Sequence, residues 1–253
     1  MSPKTTLLKA ILANPDADEP RDRLAELWMR AGDPHGDLIA VQMKLARRQG
    51  NGPLLRRRER ELINQHGREW AGGLADLVDR FYFRRGFVEL IKLEASAFLR
   101  HAETLYGLAP IRHLTLTGAH AVAAELFASP HLSRIVSIDL DRCGLTDDDA
   151  ILLAASPHVS RVRWLTLGWN EIGRPGLDAI ASSEHLNQLQ YLAFNNNRIP
   201  DPTIQPGGVD ETCAVLDLDI DPLNRALRDI HGDLPWLLYE GTRLVHWPPD
   251  RDI

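Results

Sequence analysis

A nine-residue pattern recurs five times between Val88 and Asn197. It restricts the chain to folds in which like units stack on one another. The clearest copy begins at Val162 and places Leu165, Leu167 and Asn170 at its fourth, sixth and ninth positions. Leu189, Leu192, Phe194 and Asn197 repeat it, and Ile135, Ile138, Leu140 and Cys143 repeat it with cysteine in the ninth slot. Ile111, Leu114 and Leu116 keep the apolar positions and lose the asparagine, and Val88–Leu93 is a weaker first copy. The copies start at 88, 111, 135, 162 and 189, so the spacings are 23, 24, 27 and 27 residues.

The pattern has a direct physical reading. Positions four and six point to one side of a short strand, and position one joins them in the core. Asparagine or cysteine at position nine can satisfy backbone groups where the chain turns away from the strand. No single unit can bury its apolar side alone, so neighbours must stack. The segments between copies read as helices. Thr146 is placed to cap one whose first turn is Asp147–Asp149, and Ile151, Leu152 and Leu153 are expected to bury its face. Pro175 suits the first turn of the next, ahead of Leu177, Ile180 and Ala181. Ser96 is read as the cap of a helix carrying Phe98, Leu99, Leu105 and Tyr106 and ending at Gly107. The repeated pattern resembles the leucine-rich repeat, and the 27-residue copies resemble its ribonuclease-inhibitor type. That resemblance implies an α/β solenoid of about five repeats, with parallel strands on the concave face and helices on the convex face.

Before the repeats, apolar residues recur at three and four over Thr5–Ala13, Pro20–Ala31, Asp37–Gln49 and Leu54–Gly67. Breakers at Gly32-Asp33-Pro34 and Gly50-Asn51-Gly52-Pro53 separate the last three. The stretch from Ile11 to Arg21, then Leu24-Ala25-Glu26-Leu27-Trp28, then Gly32 to Gln42, resembles the bacterial repeat-companion domain. Arg84-Arg85-Gly86-Phe87-Val88 resembles the join that such proteins make into their first repeat. The resemblance implies a small all-helical domain ahead of the repeats and carries no catalytic residue. After Ile199, prolines and glycines interrupt the pattern; Ala214–Ile220 reads as a strand, Pro222–Ile230 as a helix, and Trp236–Tyr239 with Arg243–Trp247 as a hairpin. The expected division is a helical domain over residues 1–80, a solenoid over 81–199 and a terminal cap over 200–253.

Charge and composition narrow the function. The net charge of −6 is spread as +4 over residues 1–87, −3 over 88–199 and −7 over 200–253. That acidity argues against nucleic acid as the partner. The run Arg56-Arg57-Arg58-Glu59-Arg60 is diluted by glutamates and contains no stacking aromatic. No apolar run is long enough to span a bilayer and the first residues do not read as a signal peptide, so a cytoplasmic protein is expected. Cys143 and Cys213 make no disulfide framework. His131, His158 and His185 occupy one slot of three repeats, which stacking sets about 10 Å apart, too far for one metal. Asp217, Asp219 and Asp221 lack the glycine and glutamate of a calcium loop. No nucleophile elbow, phosphate loop or dinucleotide fingerprint occurs. No cofactor and no metal are therefore expected.

The informative positions are the third, fifth, seventh and eighth of each copy, which should face outward. They include His113, Asp139, Asp141, Arg142, Trp164, Trp169, Tyr191 and Asn195. Large aromatics beside an arginine are the residue types that anchor protein interfaces. The expectation is a monomeric, non-catalytic recognition module or scaffold that holds a protein partner on the concave face. A stoichiometric inhibitor or immunity protein, or the regulatory subunit of an enzyme, is the alternative. An enzymatic reading would rest on Asp139 and Asp141, the one close carboxylate pair on this face.

Overall fold

The structure is a computed structural model that describes residues 2–198, 222–232 and 234–237. Among these it is an α/β protein with nine α-helices and a six-stranded, mostly parallel sheet whose strands follow chain order. Among the described residues no helix is long and apolar enough to cross a membrane. Two compact units divide the chain. The first holds the residues up to Lys92 together with His101–His113, and the second holds Leu93–Arg100 together with the described residues from Leu114 onward.

The first unit opens with four helices, α1 (Pro3–Ala13), α2 (Glu19–Arg30), α3 (Pro34–Ala46) and α4 (Gly52–Ala71). Each has a proline in its first turn, and Ser2, Asp33 and Asn51 cap α1, α3 and α4 through their side chains. Ile11, Leu24, Ala25, Trp28, Ile39 and Met43 form its core, with Phe87 packed against them. Phe87 belongs to a strand pair, β1 (Arg80–Arg84) and β2 (Phe87–Glu94), which run antiparallel. Ahead of Arg80 the regular elements are helices, as expected, but this compact unit also contains the β-hairpin and extends past residue 80. Arg84 and Phe87 pair directly, and the two residues between them have positive φ, 47° at Arg85 and 88° at Gly86. A two-residue turn of that kind matches the right-handed twist of its strands. Gly86 is required, since a Cβ there would overlap the Ile39 side chain.

A buried ionic cluster ties this hairpin to the segment after α1. The Arg21 guanidinium is fully buried and donates to Glu89 Oε1 at 2.7 Å and to the Ala17 carbonyl at 2.8 Å. Burial lowers its pKa to about 10, against the opposing pull of Glu89. Arg85 adds a second cation on Glu89 and also donates to Asp18 and the Pro15 carbonyl. Glu89 is 1% exposed, so removing its charge strands a buried cation. Glu89→Gln is expected to lower unfolding free energy by about 3–5 kcal/mol, read by urea denaturation. A loss under about 1 kcal/mol would show that the cluster is relieved by water.

The second unit is built from α6 (Ala123–Ala128), α7 (Asp147–Ala154) and α8 (Arg174–Ala181), which alternate with β4 (Ser137–Asp139), β5 (Trp164–Thr166) and β6 (Tyr191–Ala193). Helix α5 (Ala95–Leu108) and strand β3 (His113–Thr117) precede them. Strands β4, β5 and β6 are parallel and in register, with Ile138, Leu165 and Leu192 side by side. Those residues and Leu140, Leu167 and Phe194 are buried.

The ninth position joins neighbouring copies. Asn170 accepts the backbone N–H groups of Cys143 and Leu145 at 3.0 Å each and donates to the Leu140 and Leu167 carbonyls. Asn197 does the same one copy later, accepting from Ile172 and donating to Leu167 and Phe194. The Cys143 thiol donates to the Leu116 carbonyl at 3.3 Å. Ser156 and Ser183 reach back in parallel fashion to the Phe127 and Ala154 carbonyls. Asp147 caps the following helix: Gly173, the N-cap of α8, has no side chain, and Asp147 Oδ1 accepts the N–H groups of Gly173 and Gly176 at 2.8 Å each. Asn170→Ala would leave at least two buried N–H groups without acceptors, and the expected loss is at least about 3 kcal/mol by urea denaturation. Asn195→Ala, two strand positions from the ninth slot, is the control and should cost under about 1 kcal/mol.

Three local expectations are corrected. On α7 the buried face is Ala150, Leu153 and Ala154, while Ile151 and Leu152 are exposed. Three consecutive residues are spread over about 200° of a helix, so they cannot all face inward. Ser96 lies inside α5, which starts at Ala95, and α5 runs through Gly107 to Leu108. Trp236 and Leu237 lie in a 3-10 turn, Pro235–Leu237, in place of the expected strand. The expected terminal helix is present as α9, Pro222–His231, and it packs on α8, where the His231 ring donates to Asp178 at 3.0 Å. The expected strand Ala214–Ile220 and the strand Arg243–Trp247 lie outside the described residues.

Candidate docking face

The outward side of β4, β5 and β6 carries most of the residues singled out from the sequence. The register sets Trp164 between Ser137 and Tyr191, and Thr166 between Asp139 and Ala193. Trp164, Tyr191, Asp139 and Asn195 are half-buried, and Asp141, Arg142 and Trp169 are exposed. His113 is not on this surface. It is 1% exposed, and its Nε2 accepts a hydrogen bond from Arg84 at 3.0 Å. Its proposed contact role is thus corrected: this third-position side chain is covered.

Beyond the strands the chain turns at position eight, and there the backbone is left-handed in each of four copies. Gly118, Arg142, Trp169 and Asn196 have φ of 64°, 58°, 58° and 56°. The turn is held across copies, because the Arg142 N–H donates to the Gly168 carbonyl and the Trp169 N–H to the Asn195 carbonyl, both at 2.9 Å. Glycine and asparagine suit this conformation, whereas arginine and tryptophan are strained in it. The two strained residues meet: the Arg142 guanidinium lies over the Trp169 ring, 4.4 Å from its centroid. Trp169 is nonetheless 50% exposed. The sequence names both residues but not their contact. Aligning the eighth positions shows two bulky residues where glycine and asparagine stand in the flanking copies, and that was the available signal.

The carboxylates are set by the scaffold. Asp139 Oδ1 accepts the Thr166 hydroxyl at 2.7 Å and the Asp141 N–H at 3.1 Å. Asp141 Oδ1 accepts the Gly168 N–H at 2.7 Å. A Cβ at position 168 would lie 2.9 Å from Asn195 Oδ1 and 3.2 Å from Asp141 Oδ1, so a larger residue there would push these two side chains aside. Partial burial of its carboxyl and the charge of Asp139 push the pKa of Asp141 up, against the Gly168 hydrogen bond and Arg142.

Other candidate chemistry has structural duties. The Cys143 thiol is buried and its pKa is pushed up by that burial. His131, His158 and His185 have their backbone N–H groups on the Ser129, Ser156 and Ser183 hydroxyls, the capping serines of successive 3-10 turns or bends. Among the described residues, no group of three His, Cys, Asp or Glu side chains is placed to hold a metal ion. Comparison with protein families, curated proteins and solved structures finds no match for this chain.

The buried histidines give a pH prediction. Burial, with Arg84, Arg112 and Arg85 nearby, holds the pKa of His113 well below the ordinary 6.5. Burial also lowers that of His35, whose ring is stacked between Trp28 and Trp70. The unfolded chain therefore binds more protons below pH 6.5, and stability falls as pH drops through that range. The expected slope from His113 approaches about 1.4 kcal/mol per pH unit. Urea denaturation at pH 7.5 and 5.5 should show the loss, and His113→Gln, which keeps an acceptor for Arg84, should reduce it. An unchanged pH dependence in that variant would refute the assignment.

Proposed function

We propose that the chain is a leucine-rich-repeat solenoid that serves as a non-catalytic recognition module, holding a protein partner on the outward face of β4–β6. The observation that carries this reading is Trp169. A large aromatic is kept half-exposed, in a strained conformation, at a slot that glycine fills at 118 and asparagine at 196. Strain of this kind persists at functional sites, and exposed aromatic and arginine pairs are the anchors of protein interfaces. Trp164 and Tyr191 stand side by side at the start of β5 and β6 and add a second aromatic pair to the outward side. The hydrogen-bond relay at position nine supports the solenoid reading, because in the last three copies it joins a copy to the one before it. The scaffold bonds of Asp139 and Asp141 support a positioning role for them over acid–base chemistry. A stoichiometric inhibitor, or a regulatory subunit of an enzyme, is a narrower form of the same reading and is consistent with the net charge of −6.

The test pairs stability with binding. In Trp169→Asn, relief of about 1–2 kcal/mol of left-handed strain offsets loss of a stack worth about 0.5–1 kcal/mol. Unfolding free energy should then stay within about 1 kcal/mol of wild type, unlike the about 3–5 kcal/mol cost of truncating a core aromatic. Affinity capture from native extract is run with wild type, Trp169→Asn and Trp164→Ala/Trp169→Ala/Tyr191→Ala. A protein recovered by wild type and lost by the folded variants is the expected result. A protein held equally by all three would place the working surface elsewhere.

A further inference from the structure

We propose that the occupant of this face is a basic protein segment, one of whose lysine or arginine side chains lies across Trp164 to reach Asp139 and Asp141; this rests on reading the face as a docking surface. Asp139 closes β4 and Asp141 stands in the turn that follows it, near enough for their charges to act on each other. Each carboxylate is anchored through Oδ1, by Thr166 and by Gly168 respectively. Neither carboxylate has an ion-pair partner among the described residues. The adjacent cation, Arg142, is shared: its guanidinium lies over the Trp169 ring while its charge also acts on Asp141. Two carboxylates held this way repel each other and attract an outside cation.

The aromatic row supplies the second half of the recognition. Asp139 is opposite Thr166 and Trp164 is opposite Ser137, so Asp139 and Trp164 are diagonal neighbours on one face. That separation is about 7–8 Å, within the span of a lysine or arginine side chain. Such a side chain can rest its stem and cation on the indole while its donors meet the carboxylates, combining cation–π attraction with ion pairing. The charge of the whole chain, −6, steers a basic partner toward the molecule and repels an acidic one.

Binding of two labelled nine-residue peptides to the full chain, one alternating Arg and Ser and one alternating Glu and Ser, tests this by fluorescence anisotropy at physiological salt. The basic peptide should bind at least about tenfold more tightly than the acidic one. Asp139→Asn/Asp141→Asn keeps the Thr166 and Gly168 bonds and should weaken the basic peptide about tenfold. Glu125→Gln/Glu184→Gln removes the same charge from exposed sites off the face and should stay within about twofold. Trp164→Ala changes no charge and should weaken binding about two- to fivefold. Equal weakening by the two double variants, preference for the acidic peptide, or failure of the basic peptide to bind would overturn the proposal. If the basic peptide fails while capture of a protein partner still depends on Trp169, the docking face stands and only its basic occupant falls. If the peptide binds through the aspartates while captured partners ignore the face variants, the cationic site stands and the docking reading falls.

Discussion

The position-nine side chain is the contact on which the second unit depends. A strand of three residues offers few ladder bonds, and the turn after it exposes backbone groups to a core that water does not reach. Asn170 answers both needs at once, accepting two N–H groups of the preceding copy and donating to carbonyls of both copies. Each copy thereby completes its neighbour, so the unit of stability is the pair and not the single repeat. Cysteine at 143 keeps one bond of the set, from its thiol to the Leu116 carbonyl. Asp147 obeys the same logic on the helical side, supplying to α8 the cap that Gly173 lacks.

This relay also creates the candidate face. Because position nine turns inward, position eight is forced into left-handed backbone, and whatever residue stands there is displayed. The fold is indifferent to the side chain at that slot except through strain, which favours glycine or asparagine. Arg142 and Trp169 depart from that preference in consecutive copies and end in contact. The departure is local: both residues keep the backbone bond that ties their turn to the next copy.

The first unit is organised by a different constraint, a glutamate buried between two arginines. Asp16, Asp18 and Arg21 stand between the end of α1 and the first turn of α2, and the structure gives them work: Asp16 pairs with Arg112, Asp18 with Arg85 and Arg47, and Arg21 with Glu89. Long-range ion pairs of this kind leave no periodic trace in a sequence. Glu89 stands between Val88 and Leu90, where strand alternation alone would send it to solvent. It is buried because β2 is covered on both faces.

Much was legible from residue order alone: the four N-terminal helices, the alignment of three strands, the inward set Ile138, Leu165 and Leu192, and the capacity of Asn170 to satisfy backbone groups at the turn. These arise from periods of 3.6 and 2 and from the hydrogen-bonding capacity of one side chain, all of which are local. Tertiary structure alone decided that residues 80–94 pair as a hairpin, that His113 is covered by Arg84, that Ile151 and Leu152 are exposed, and that Arg142 reaches Trp169. Each of these depends on which residues distant in the chain come to lie side by side. Burial and charge pairing are properties of that arrangement, and no local period encodes them.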